Sequence, residues 1–167
     1  MNSLRVHVLL GSLILFVIGF ACNGETAKPR AVEVIYREDF GCSFPQLEQS
    51  VAGIRALGKV EKETLTEYVP GGDLGHVFEF DGLTIELRID RKSRESGGIQ
   101  YANIRKGKWT FSEDARVGMK VSALLTKLKV KSLKNPEAFK VCGDQECATF
   151  KASNGRIVQI EYACYTG

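Results

Sequence analysis

Residues 140–150, KVCGDQECATF, place Cys142 and Cys147 either side of four turn-forming residues. Thiols at this spacing can form half of a metal site, a redox pair or a disulfide, and the compartment decides among the three. Four further positions bear on that choice: Cys22, Cys42 and Cys164, which complete a set of five cysteines, and His76. A four-thiolate zinc site calls for two closely spaced pairs, and Cys42 and Cys164 are far apart in the chain, so the expectation is no metal and no cofactor. If Cys142 and Cys147 face each other across a hairpin, their Cα atoms fall within disulfide range, and Cys42 and Cys164 remain to pair with each other.

Acid–base chemistry would have to use His76, because His7 lies in an N-terminal stretch that reads as removed. His76 stands at the start of a strand pattern, where a half-exposed sheet residue is expected. A Ser/His/Asp or Cys/His arrangement needs partners that the spacing does not place. A small envelope hydrolase using His76 is therefore the alternative reading of function, and no catalytic residue is assigned. Glu61 and Glu63 flank Lys62 in what reads as a solvated connection, and Glu113 and Asp114 stand where a helix start favours negative charge. Residues 70–75, PGGDLG, lack the Lys-Ser/Thr ending of a phosphate loop and read as a turn.

The compartment is set at the other end. Residues 1–22, MNSLRVHVLLGSLILFVIGFAC, combine an early cation, a short apolar run and small residues before Cys22, the pattern of a secretory signal peptide. Cys22 falls where a bacterial lipoprotein carries its lipid, and setting it aside leaves four cysteines, an even set suited to an oxidising compartment. The expected organisation is a signal peptide over 1–21, a lipid-linked tether over 22–31, and a folded part from residue 32. Localisation follows: exported, in the periplasm or outer membrane of a bacterium, held to the membrane through Cys22.

The elements that must position these residues follow from periodicity. Leu47, Val51, Ile54 and Leu57 are spaced four, three and three apart after Pro45, which predicts a helix over 45–57, capped by Ser43 and ended by Gly58. Period two then predicts strands over 64–69, 77–80 and 83–89, with Asp81-Gly82 as a tight turn, and an extended stretch over 99–106. Val121, Leu124, Leu125 and Leu128 predict a second helix, followed by strands over 138–142, 148–151 and 157–164 with an Asn154-Gly155 turn. The order helix, strand, strand, turn, strand thus occurs twice. The expected fold class is α+β, two tandem helix-plus-antiparallel-sheet units over 32–111 and 112–167 forming one small domain.

Residues 116–125, RVGMKVSALL, resemble the start of the helix in the SmpA/OmlA (BamE) family of outer-membrane assembly lipoproteins. The doubled plan with its cysteine pairs is similar to the tandem repeat of the β-lactamase inhibitory proteins. Lys120 and Lys129 stand where the SmpA/OmlA motif has Ser or Thr and Gly. The resemblance implies the fold and a habit of binding other proteins, with no particular partner.

Charge is unevenly distributed: residues 23–100 carry 10 basic and 14 acidic side chains, residues 101–167 carry 12 and 6. Lys120, Lys127, Lys129, Lys131 and Lys134 cluster around the second helix and offer a face for an acidic partner, while Trp109 and Tyr101 offer aromatic anchors. Nucleic acid is disfavoured by location. The expectation is a non-catalytic protein-binding, assembly or inhibitory module whose partner is another envelope or secreted protein, docking on the open sheet face or along 120–134.

Overall fold

The computed structural model describes residues 32–40, 49–68 and 70–164. The elements run β1 (Glu33–Tyr36), α1 (Val51–Arg55), β2 (Lys62–Glu67), β3 (Leu74–Phe80), β4 (Leu83–Ile89), β5 (Gly97–Ile104), β6 (Thr110–Phe111), β7 (Ala115–Arg116), α2 (Val121–Lys127), β8 (Ala138–Cys142), β9 (Glu146–Ser153) and β10 (Arg156–Cys164). Strands β1-β8-β9-β10-β5-β4-β3-β2 form one sheet in that order, and β6 and β7 pair separately. β1 is parallel to β8, and every other neighbouring pair is antiparallel.

This architecture corrects the expected fold class. The protein is predominantly β, with 49% of the described residues extended and 12% helical, and the two stretches do not form separate helix-plus-sheet units. Tyr101, Ala102, Asn103 and Ile104 of β5 pair with Ala163, Tyr162, Glu161 and Ile160 of β10, so the two meanders merge along their edges. β1 crosses from the first stretch to pair with β8 of the second. The spacing pattern gave the order of elements along the chain but not which strand edges meet, and unpaired edges are completed by whatever strand can reach them. The likeness to the SmpA/OmlA (BamE) and β-lactamase inhibitory families falls with the two-unit plan: RVGMKVSALL yields only a seven-residue helix beside an eight-stranded mixed sheet.

The helices cover one face of that sheet. Leu83, Ile85, Leu87 and Ile89 of β4 point into the core, while Thr84, Glu86 and Arg88 alternate onto the other face. Against the inner face lie Val51 and Ile54 of α1, Val121, Leu124 and Leu125 of α2, and Phe111 of β6, which packs on Tyr162 at 5.4 Å between ring centroids. One face packed and one open is the ordinary arrangement for a largely antiparallel sheet.

Local chemistry sets the element ends. Ser50 caps α1, its hydroxyl accepting from the Gly53 amide at 2.9 Å; the expected cap Ser43 and the expected earlier turns at 45–48 lie outside the described residues. α2 ends in a Schellman motif. Lys129 takes a left-handed φ of 57°, its amide donating to Thr126, and the Val130 amide donates to Leu125. Asn154 and Gly155 both have positive φ, as a two-residue hairpin turn between β9 and β10 requires.

Candidate functional site

The uncovered face of the sheet carries an unbroken row across all eight strands. Tyr36 stands opposite Cys142, then Cys147, Ala163, Tyr101, Glu86, Val77 and Thr64 follow by register. The next row runs Val34, Lys140, Thr149, Glu161, Asn103, Thr84, Glu79 and Lys62. Its charges are largely satisfied within the face: Lys62 pairs with Glu79 at 3.1 Å and Lys151 with Glu161 at 3.2 Å, while Tyr68 donates to Glu86. Burial, then the Glu86 hydrogen bond, raises the Tyr68 hydroxyl well above its ordinary range, so it remains a neutral donor. Tyr36, at 60% exposure on the edge strand β1, donates to Asp144 in the hairpin loop. A face on which several charges are already paired, and which carries Tyr36 and Tyr101 in one row, can lose water to a partner at a smaller cost in stranded charge.

Within that row, Cys142 and Cys147 are disulfide-bonded with Cα atoms 4.1 Å apart, directly opposite in the β8–β9 register. Cys164 is also disulfide-bonded. Cys42, the partner expected for it, and the lipidation candidate Cys22 lie outside the described residues.

His76 departs from expectation. β3 begins at Leu74 rather than at Val77, so His76 is an interior strand position facing inward between Leu65 and Leu87, and it is only 5% exposed. Its ring stacks on Phe78 at 4.2 Å, and its Nε2 lies 2.6 Å from Oε1 of Glu63. Arg55 of α1 grips the same carboxylate at 2.5 and 3.3 Å, and this guanidinium, aided by His76, holds the Glu63 carboxyl below its ordinary value. Neither Glu63 nor Arg55 carries a signal in the sequence that sets it apart as a site residue. β2 starts at Lys62, two residues before the expected strand, and that gives Glu63 a sheet face instead of a solvated turn.

The chemistry open to this cluster is limited by the ring's orientation. Nδ1 of His76 is buried and has no hydrogen-bond partner among the described residues. A proton there would be an unmet donor in the interior, so the neutral ring carries its proton on Nε2 and donates it to Glu63. The remaining lone pair, the one a general base needs, then points into the protein.

The other residues singled out in the sequence are not brought together. Tyr101 is on the open face, while Trp109 sits beyond β5 at the end of the sheet, its ring tilted against Phe80 at 5.7 Å between centroids and its Nε1–H donating to the Asp81 carbonyl at 3.0 Å. Trp109 borders a cavity of about 400 Å³ shared with Leu57, Lys59, Glu61 and Lys108. Lys120, Lys127 and Lys131 are exposed on and after α2, on the covered side. Acidic groups reach this region: Asp114 pairs with Lys127 at 2.9 Å, Glu33 accepts from the Lys134 amide at 2.7 Å, and Asp39, whose carboxyl is lowered first by its hydrogen bond to Arg37, is lowered slightly by Lys129 as well. The lysine patch is thus interleaved with carboxylates. Among the described residues there is no cluster of three or more metal-ligating side chains, and no helix is long and apolar enough to cross a membrane.

No protein family and no characterised protein matches the chain in sequence. Among solved structures, it is similar to a cysteine-rich secretory protein from Staphylococcus aureus subsp. aureus Mu50, with 9% identity and a TM-score of 0.43, over 80% of this chain and 50% of that one. The chain therefore spans about half the length of that structure.

Proposed function

We propose that this protein is an exported, non-catalytic binding module that engages another envelope or secreted protein through the uncovered face of its sheet, and that it is tethered to the membrane by a lipid on Cys22. The observation that carries the reading is the continuous row from Tyr36 through Tyr101 to Thr64, half-buried or exposed at every position and covered by no helix among the described residues. Disulfide-bonded cysteines support an oxidising compartment, and the pairing of charges within the face supports a partner that contacts it through apolar and tyrosine surface. The lysines of α2 are the weaker docking surface, because carboxylates interrupt them.

The test is site-specific photocrosslinking with the full-length protein in the cell that makes it. A photoreactive residue at Tyr101 or Val77 is expected to give one discrete adduct, and the same residue at Lys127 none. Adducts of equal yield from both sides of the sheet, or none from the open face, overturn the reading. Radiolabelled palmitate tests the tether: an unlabelled protein, or label that survives Cys22→Ser, counts against it.

The hydrolase reading has one specific observation in its favour, the contact of His76 with Glu63 beside a cavity. Against it stands the buried Nδ1, which leaves the ring no accessible lone pair.

A further inference from the structure

We infer that the depression between α1 and the inner face of β2 and β3 is a binding site for a short aliphatic group that ends in a carboxylate. The cavity measures about 240 Å³, below the range of about 300–1,000 Å³ typical of drug-sized ligands, so its occupant is a short chain or a single side chain. Its apolar wall is formed by Val51 of α1, Leu65 of β2 and Ile89 of β4. Leu65 faces the same side as His76 but is 47% exposed, because β2 is the last strand and the five-residue α1 does not extend over it. An aliphatic ligand would remove that surface from water at a gain of about 25 cal/mol per Å².

The charge of the lining selects the ligand's other end. Arg55 and Glu63 are bonded to each other and cancel, and Glu63 also holds His76. Arg94 is left over. Its Nε donates to the Arg91 carbonyl at 3.4 Å, and its guanidinium meets no carboxylate among the described residues. Among the described residues, the lining therefore carries one positive charge beyond those paired within it, beside an apolar wall. A guanidinium binds a carboxylate through paired N–H donors, whereas an amine of the same length is repelled and an alcohol gains no charge. This site lies on the opposite side of the sheet from the row that carries Tyr36 and Tyr101 and is independent of protein binding there.

The same chemistry is presented by a free short-chain acid and by the C-terminus of a polypeptide ending in an aliphatic residue, and the probes separate the two. Calorimetric titration of the full-length protein would use hexanoate against hexylamine and hexanol, and N-acetyl-leucine against N-acetyl-leucinamide. Each carboxylate is expected to bind about tenfold or more tightly than its uncharged or cationic counterpart, the value of one charge-assisted pair. Tighter binding of N-acetyl-leucine than of hexanoate identifies a polypeptide terminus as the natural occupant, and the reverse order identifies a free acid. Arg94→Gln, in an exposed loop, should remove the preference for carboxylate with an unchanged melting temperature. Leu65→Ser, on the edge strand, should weaken all the aliphatic probes alike. Carboxylates that bind no better than their counterparts, or a preference that survives Arg94→Gln, overturn the inference.

Discussion

Oε1 of Glu63 lies 2.6 Å from Nε2 of His76, and Arg55 holds the same carboxylate from α1. Three elements, α1, β2 and β3, are joined by this one group at the edge of the sheet, where little apolar surface is available to hold the last strand. His76→Ala removes a buried ring stacked on Phe78 as well as the donor to Glu63. The expected cost is about 2–3 kcal/mol, between the values for a lost hydrogen bond and for truncation of a large core side chain. Urea denaturation measures it. The photocrosslink from Tyr101 should survive the substitution at temperatures where the variant is folded, whereas a hydrolase would lose turnover with its fold intact.

The same carboxylate makes a prediction about acid. Arg55, then His76, lower the Glu63 pKa from its ordinary value of 4.5 in the folded state. A group whose folded pKa is depressed contributes stability that is fully present above its unfolded pKa and is lost as the pH falls through the folded one. Denaturation midpoints of the natural protein should therefore decline below about pH 4.5. Glu63→Gln should start lower and decline less steeply across that window. Equal slopes for the two proteins would show that the ion pair contributes nothing, as is common for exposed pairs.

Much of the chain was legible because its alternation is clean. The strand Leu83–Ile89 and the strand Ala138–Cys142 have the expected bounds, and the cross-strand position of Cys142 and Cys147 follows from the loop between them. The sheet as a whole was not legible, because nothing in the alternation of Gly97–Ile104 or Arg156–Cys164 states that these two strands pair with each other rather than ending separate units. The candidate site failed for a related reason. Glu63 and His76 each lie just outside the apolar run of their strands, and shifting a strand's start by two or three residues turns a turn residue into a facing one. The lysines cluster along the chain, while Asp114 and Glu33, which interrupt that cluster, reach it only through folding.

The Cys142–Cys147 bridge closes a short loop, and on the chain-entropy account its removal costs about 2 kcal/mol. The double substitution Cys142→Ser, Cys147→Ser should lower the denaturation free energy by that amount without changing the fold. Gly143→Ala tests the same hairpin in a different way. A Cβ at Gly143 would lie 2.1 Å from the Phe40 carbonyl oxygen, so backbone must move, and a substitution that adds one methyl group should cost at least as much as breaking the disulfide.

Lys129 is the position at which a change should improve the protein. It closes α2 with φ 57°, in the left-handed region, and the amides of Lys129 and Val130 complete the Schellman pair with Thr126 and Leu125. A side chain at this position pays about 1 kcal/mol for the conformation, which glycine adopts freely. Lys129→Gly gives the unfolded chain more freedom, which offsets part of that gain. The net expectation is a stabilisation of about 0.5 kcal/mol by urea denaturation. Lys129→Ala, which removes the charge but keeps the Cβ, should give no such gain. If the alanine variant is stabilised as much as the glycine variant, relief of lysine repulsion rather than of backbone strain is the cause, and the left-handed cap is not where the energy lies.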